Sequence, residues 1–282
     1  MCENISSLNV RSFERPIVLV GAGKMGASLL SGWLAAGLDP NLTHVVEPSP
    51  SQALLELSQD RGCAVTASWP NVKNPFVILA VKPQVIEAVL ADISPEVFKG
   101  ALVLSVMAGI PIAALKSMVP LAEEVVRAMP NLPASIGKGA TAVVAEELSS
   151  ESQNIVHHLL SVSGHVEWLE NESLIDVATA VSGSGPAYFL YLVECLAHAG
   201  VAHGLRPDVA ERLAEATLSG TGELLAQAKR PAGALRRDVT SPGGTTEAGL
   251  EVLFENEALA KLVSGVVDAA AARSRKLSLG RT

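Results

Sequence analysis

Aromatic residues are scarce in this sequence. Phe, Trp and Tyr make up 4% of its 282 residues, which excludes a core built on large rings and leaves Ala, Val and Leu to fill it. Such side chains suit closely packed helices and parallel strands. Cysteine is also scarce. Cys2, Cys63 and Cys195 lie far apart and are odd in number, which excludes a disulfide framework and any cysteine-spaced metal site. Reduced thiols in a cytoplasmic protein are the expectation. Basic residues are the minority charge, 21 Lys and Arg against 29 Asp and Glu, with no basic run. A formal charge of −8 repels a phosphate backbone, so no nucleic-acid partner is expected. No apolar run reaches the ~18 residues of a membrane span, and residues 1–15 lack the apolar stretch of a signal peptide. What the sequence does have is 49% hydrophobic and only 18% charged residues, enough apolar surface for a sizeable core and too much for a disordered chain.

Local patterns place the elements. Residues 16–20 (PIVLV) are short, apolar and rich in β-branched side chains, and they stop at Gly21, so they read as a buried strand. A helix over 24–36 follows, ended by Gly37. Further strands read at 44–47, 76–81, 101–106, 124–129, 140–145 and 165–169, with a helix over 51–60 closed by Gly62. Strands alternating with helical segments predict βαβ units and a mostly parallel sheet. From Leu174 on the pattern is helical, with long helices over 188–203, 207–228 and 257–277. The first of these is apolar on nearly every face, which means burial either in a core or between subunits.

Four stretches carry chemistry. Gly21-Ala22-Gly23-Lys24-Met25-Gly26 follows a strand and opens a helix. That is the context in which GxGxxG binds a dinucleotide: Gly21 for the turn, Gly23 for approach of the pyrophosphate, Gly26 for close helix–strand packing. Glu47, at the end of the second strand, is placed to accept from the adenosine ribose and taken alone favours NADH. Ser49 and Ser51 offer hydroxyls to a phosphate, while no arginine stands nearby. Ala80-Val81-Lys82-Pro83 ends the third of these strands beside the cofactor, and Met107-Ala108-Gly109 ends the next, where small residues let a nicotinamide ring lie against backbone. Ser182-Gly183-Ser184-Gly185-Pro186 begins a long helix, which suits either an anion or close helix packing. Thr240-Ser241-Pro242-Gly243-Gly244-Thr245-Thr246 presents backbone N–H groups and hydroxyls to a carboxylate. None of the six histidines is paired with these motifs, so no histidine is assigned a role and no metal is expected.

Together, GAGKMG at 21–26, AVKP at 80–83, Arg127-Ala128-Met129-Pro130-Asn131 with Pro133, SGSGPAY at 182–188 and VTSPGGTT at 239–246 resemble the pyrroline-5-carboxylate reductase family, over nearly the whole chain after residue 15. The last two stretches are the most specific. The resemblance implies an α/β fold, a Rossmann-type doubly wound sheet followed by an all-α dimerisation domain. It implies an extension over 1–15, an NAD(P)-binding domain over 16–172 and a helical substrate-binding domain over 173–282. The implied reaction is hydride transfer from NADPH or NADH to the C=N carbon of 1-pyrroline-5-carboxylate, giving L-proline. The implied assembly is a homodimer or homodecamer. Residues 21–26, Glu47, Ser49, 80–83 and 107–109 become cofactor residues. Glu172, Ser182, Gly183, Ser184, Gly243, Gly244, Thr245 and Thr246 become substrate residues, and the Thr246 hydroxyl is the candidate to meet the ring nitrogen. Two positions depart from the family. Glu47 stands where members that prefer NADPH carry Ser, Thr, Asn or Arg, and Asp238 stands where relatives have a cofactor-contacting amide. Two other readings compete. A β-hydroxyacid dehydrogenase needs a catalytic lysine in the helical half, but Lys229, Lys261 and Lys276 lie in no such motif. A non-catalytic NAD(P) sensor has no need of the 239–246 loop.

Overall fold

The computed structural model describes residues 13–279. Two compact units divide the chain, residues 1–183 with 270–282, and residues 184–269. Residues 172–183, just past the expected boundary at 172, pack as short helical turns with the first unit. Ile175, 1% exposed, sits in that unit's core.

The first unit is built on one eight-stranded sheet: β1 (Ile17–Val20), β2 (Thr43–Val46), β3 (Ala64–Thr66), β4 (Phe76–Leu79), β5 (Leu102–Ser105), β6 (Glu124–Met129), β7 (Gly139–Ala145) and β8 (Gly164–Trp168). Their spatial order is β3-β2-β1-β4-β5-β6-β7-β8, and every pair is parallel except β6–β7. That exception follows from chain length. Only a 3-10 turn at Leu132–Ile136 joins β6 to β7, too short for a helical crossover, so β7 returns antiparallel. The other helices of this unit are α1 (Lys24–Ala35), α2 (Gln52–Arg61), α3 (Ile86–Ala91), α4 (Ile112–Met118), α5 (Ser150–Ser161) and α6 (Ile175–Ala178).

Strand alternation sorts the core into two layers. Ile17, Leu19, Phe76, Ile78, Leu102 and Leu104 pack with Leu29, Leu30 and Trp33 of α1 and Leu159 of α5. Val18, Val20, Val77, Leu79 and Val103 pack on the other face with Ile86 of α3 and Leu115 of α4. Each such fully buried side chain contributes about 1.5–3 kcal/mol, which is why four-residue strands suffice. The Trp33 indole donates to Leu159 O at 2.9 Å and ties α1 to α5. Glycines end the helices as the sequence predicts, with Gly62 left-handed at φ 82° after α2.

The expected N-terminal extension lies outside the described residues as far as residue 12. Beyond that it is corrected: Phe13 is buried in the core, and Arg15 donates to the carbonyls of Asn74 and Gly100. A ring and a guanidinium that find such partners belong to the fold. Strand β3 was not anticipated, since three residues are too few to show a period.

The second unit is helical: α7 (Gly185–Ala202), α8 (Pro207–Ala228), α9 (Ala232–Asp238), α10 (Thr245–Phe254) and α11 (Ala258–Leu279), whose residues from Ala270 count with the first unit. Small side chains let α7 and α8 approach: a Cβ on Gly200 would lie 3.4 Å from the Ala210 Cβ. The chain alone does not bury α7. Phe189 and Tyr191 are 59% and 65% exposed, so of the two fates open to this apolar helix, a core is excluded. No helix among the described residues is long and apolar enough to cross a membrane.

Candidate active site

The sheet order reverses direction between β1 and β4, and in open α/β sheets ligands bind beyond the carboxyl ends of strands at such a point. A cleft of about 670 Å³ opens there. Its floor is Val20, Gly21 and Gly23 at the end of β1, Val46, Glu47 and Ser49 at the end of β2, Ala67, Ser68 and Trp69 after β3, and Ala80, Val81 and Lys82 after β4. The parallel ladder runs on past the strand ends to bring these loops together. Gly21 N donates to Val46 O at 2.9 Å, Ala80 N to Val20 O at 2.8 Å and Glu47 N to Thr66 O at 2.9 Å.

The glycines have separate duties. Gly21 has φ 87°, and a Cβ there would stand 2.5 Å from Val81 Cγ1. Gly26 is buried behind the loop, where a Cβ would meet Gly21 O at 2.4 Å and the Ala80 Cβ at 3.2 Å. Gly23 faces open space, with nothing within 4 Å of an added Cβ. Helix α1 starts after Gly23 with no side-chain cap and no acid in its first turn, so its leading N–H groups remain available to an anion. Glu47 fixes the loop from the side. Its Oε2 accepts from Ala22 N at 3.0 Å and its Oε1 from Ser49 N at 3.2 Å. An open glycine face, uncapped amides and a carboxylate at the end of β2 fit a dinucleotide.

Seven of the anticipated cofactor residues, Gly21, Gly23, Glu47, Ser49, Ala80, Val81 and Lys82, line the cleft. Ala22, Lys24, Met25 and Gly26 build the loop and helix start behind it, and Pro83 begins the 3-10 turn after β4. Met107 is not brought to this cleft; it is 2% exposed in the core. Ala108 is exposed, while Gly109, at φ 72°, packs against Leu277. The Ala67–Trp69 wall escaped sequence reading because β3 did. The pairing of β2 with a further strand was its only signal.

Of the anticipated substrate residues in the first unit, Glu172 is bonded through one carboxylate oxygen. Its Oε1 accepts from Arg127 Nη1 at 2.7 Å and from Ile112 N at 2.9 Å, joining β6 to the start of α4. The Arg127 side chain is 5% exposed, so this is a buried cation with one carboxylate partner. Ser182 lies in a π-helical turn, Thr179–Gly183, where its hydroxyl donates to Ala178 O at 2.8 Å. Asn131 secures that turn, donating to Ser182 O at 3.0 Å and accepting from Ala140 N at 2.9 Å. Gly183 is tight, 3.3 Å from Met129 Cε for an added Cβ. For the 182–184 stretch, close packing is thus the better of the two readings.

In the second unit, the 239–246 loop presents less glycine backbone than anticipated. Gly243, at φ 70°, donates its N–H to Glu247 Oε2 at 2.6 Å, and Gly244 N donates to Ser241 O at 3.0 Å. The glycines make the turn. The groups left to a ligand are the exposed Thr245 and Thr246 at the uncapped start of α10. Asp238 accepts from Arg230 Nη1 at 2.7 Å. Among the described residues no cluster of His, Cys, Asp and Glu is arranged to hold a metal ion.

Comparison with known proteins supplies the chemistry. The profile for pyrroline-5-carboxylate reductase dimerisation matches residues 172–277, and that for NADP oxidoreductase, coenzyme F420-dependent, matches residues 16–109. A pyrroline-5-carboxylate reductase of Pseudomonas aeruginosa is 36% identical, over 93% of this chain and 96% of its own length. A pyrroline-5-carboxylate reductase structure from Coxiella burnetii superposes with a TM-score of 0.86 at 32% identity, covering 94% of this chain and 99% of its own. A pyrroline carboxylate reductase of Plasmodium falciparum with NADP bound gives 0.76 at 27%, covering 94% and 98%.

Proposed function

The chain belongs to the pyrroline-5-carboxylate reductase family, and from that we propose how its residues divide the work of one reaction. It is an NAD(P)H-dependent oxidoreductase that reduces the C=N bond of 1-pyrroline-5-carboxylate to L-proline, the last step of proline biosynthesis. The nicotinamide cofactor, when bound, supplies the hydride. The protein has little covalent chemistry to do. A protonated imine is already electrophilic, so what remains is to hold the ring carbon about 3–3.5 Å from the donor with water excluded.

In this reading the first-turn amides of α1 and the bare face of Gly23 receive the pyrophosphate, and Lys82 adds a positive charge at the cleft. Thr245 and Thr246 bind the substrate. The helix-start amides take the carboxylate, and the Thr246 hydroxyl meets the ring nitrogen, which stays in the ring and becomes the secondary amine of proline. Glu172 serves by holding Arg127 and the start of α4. The observation that carries the reading is the cleft at the β1/β4 reversal, floored by the glycine loop.

The helical unit carries a dimerisation domain, and the chain assembles through it. A homodimer as the basic unit, with a decamer as its higher assembly, is part of the proposal, and the exposed apolar face of α7 supports it. Action in the cytoplasm is part of the proposal.

The test is oxidation of NADH and of NADPH by 1-pyrroline-5-carboxylate, with proline measured as product, for the native chain and Thr246→Val. The native chain forms proline. The variant loses at least about tenfold in kcat/KM while binding cofactor as before. No oxidation with either cofactor refutes the activity, and full activity of the variant removes Thr246 from the site.

A further inference from the structure

We propose that Glu47 makes this enzyme select NADH over NADPH. The inference rests on the dinucleotide reading of the cleft and goes beyond it, since the relatives' names leave the choice of cofactor open or point to NADP.

Glu47 sits at the end of β2, where the adenosine ribose of a dinucleotide reaches in a doubly wound sheet. Its carboxylate is not a loose surface group. One oxygen holds Ala22 N in the glycine loop at 3.0 Å and the other holds Ser49 N at 3.2 Å. The first bond ties the group to the loop that carries the pyrophosphate, and the second to its own loop after β2. A carboxylate has about four acceptor positions, so two remain for the 2′ and 3′ hydroxyls of an unphosphorylated ribose. A 2′-phosphate would bring about two negative charges against this fixed anion.

The rest of the cleft does nothing to relieve that repulsion. The ionisable side chains lining it are Glu47, Asp92 and Lys82, two acids against one base. Lys82 follows β4, whereas Glu47 follows β2, and β1 lies between those strands. The wall after β3, Ala67-Ser68-Trp69, has no cation, and no arginine lines the cleft. Ser49 and Ser68 offer neutral hydroxyls only. A site for a 2′-phosphate needs a guanidinium or ammonium to offset its charge, and here the nearest ionised group has the wrong sign.

ADP-ribose and 2′-phospho-ADP-ribose isolate this contact, since they differ only in that phosphate and carry no hydride. Calorimetric titration of the native enzyme is expected to show ADP-ribose binding at least tenfold more tightly. In Glu47→Gln, which keeps the length and one acceptor but not the charge, the ratio should fall to within about threefold, mainly through tighter binding of the phosphorylated ligand. Glu47→Ser is the second variant, should the glutamine disturb the loop, and is expected to shift the ratio the same way. Equal or tighter native binding of the phosphorylated ligand overturns the proposal, as does a ratio that neither variant changes. Turnover with 1-pyrroline-5-carboxylate separates this from the activity itself. Faster proline formation with NADPH than NADH refutes the selectivity and leaves the activity standing. Tight ADP-ribose binding with no proline from either cofactor refutes the activity and leaves the selectivity standing.

Discussion

Replacing Gly26 by alanine puts one methyl group into a place where the backbone leaves no room. The new Cβ would stand 2.4 Å from Gly21 O and 3.2 Å from the Ala80 Cβ. An ordinary carbon–oxygen approach is about 3.3 Å, so the pair is too close by roughly 0.9 Å. The oxygen cannot retreat alone. Gly21 is itself boxed in, its own missing Cβ lying 2.5 Å from Val81 Cγ1, so relief must come from shifting α1 or the whole loop. Overpacking of this kind costs about 1–3 kcal/mol, and at roughly 2–4 °C per kcal/mol the melting temperature falls by several degrees. A loop displaced by about 1 Å also misplaces every amide aimed at the pyrophosphate, which costs up to about a hundredfold. Gly23→Ala is the matched control. Its Cβ meets nothing within 4 Å and its φ of −64° suits any residue, so its melting temperature stays within about 1 °C of the parent, while the methyl stands on the face a pyrophosphate must approach. Calorimetric titration with NADH and NADPH, beside thermal melts, reads both quantities. Gly26→Ala should lose stability and affinity together, Gly23→Ala affinity alone. Unchanged melting and binding for Gly26→Ala, or a fold weakened by Gly23→Ala, would refute the assignment of packing to one glycine and ligand approach to the other.

Two further outcomes follow from the charged network of the first unit. Glu172→Gln leaves the buried Arg127 cation without its ion pair and weakens the Ile112 N–H bond. It should lower unfolding free energy by about 1–3 kcal/mol, the glutamate's partial exposure keeping it below a fully buried pair. Urea denaturation checks this, and a rise in KM with unchanged stability would instead make Glu172 a substrate ligand. Glu124 offers a pH test. Burial pushes its carboxyl up, but bonds from Ser152 and Ser149 and the nearby Arg15 outweigh that and hold it below the usual 4.5. A lowered folded-state value means stability that is present above about pH 4.5 and is lost as pH falls through the folded value. Melting curves between pH 3 and 7 should therefore show a shallower acid limb for Glu124→Gln than for the native chain, and superimposable limbs would refute the linkage.

How much of this was legible beforehand depends on the range over which each signal acts. The strands at 17–20, 76–79 and 102–105 were visible because both faces are buried, which makes every residue apolar. The glycine loop was visible because its constraint is local: Gly26 answers to Gly21 O within the loop, Gly21 to Val81 beside it, and Gly23 to an open face. β3 was invisible for the opposite reason. Its three residues, mostly exposed, are held by pairing with β2, and nothing in Ala64-Val65-Thr66 announces the partner. With β3 went the Ala67–Trp69 wall. Glu172 shows the same limit from the functional side. A motif can bring an acid to mind as a ligand, but its partners, Arg127 and Ile112, lie 45 and 60 residues earlier. Only the fold reveals that one of its carboxylate oxygens is bonded to a buried guanidinium. Glu47 lies between these cases. Its place at a strand end was readable, and so was the lack of a nearby arginine. What the sequence left open was whether the side chain reached the loop or dissolved into solvent. The bonds to Ala22 and Ser49 decide that, and they hold the strand-end acid in the place that the proposed cofactor selection requires.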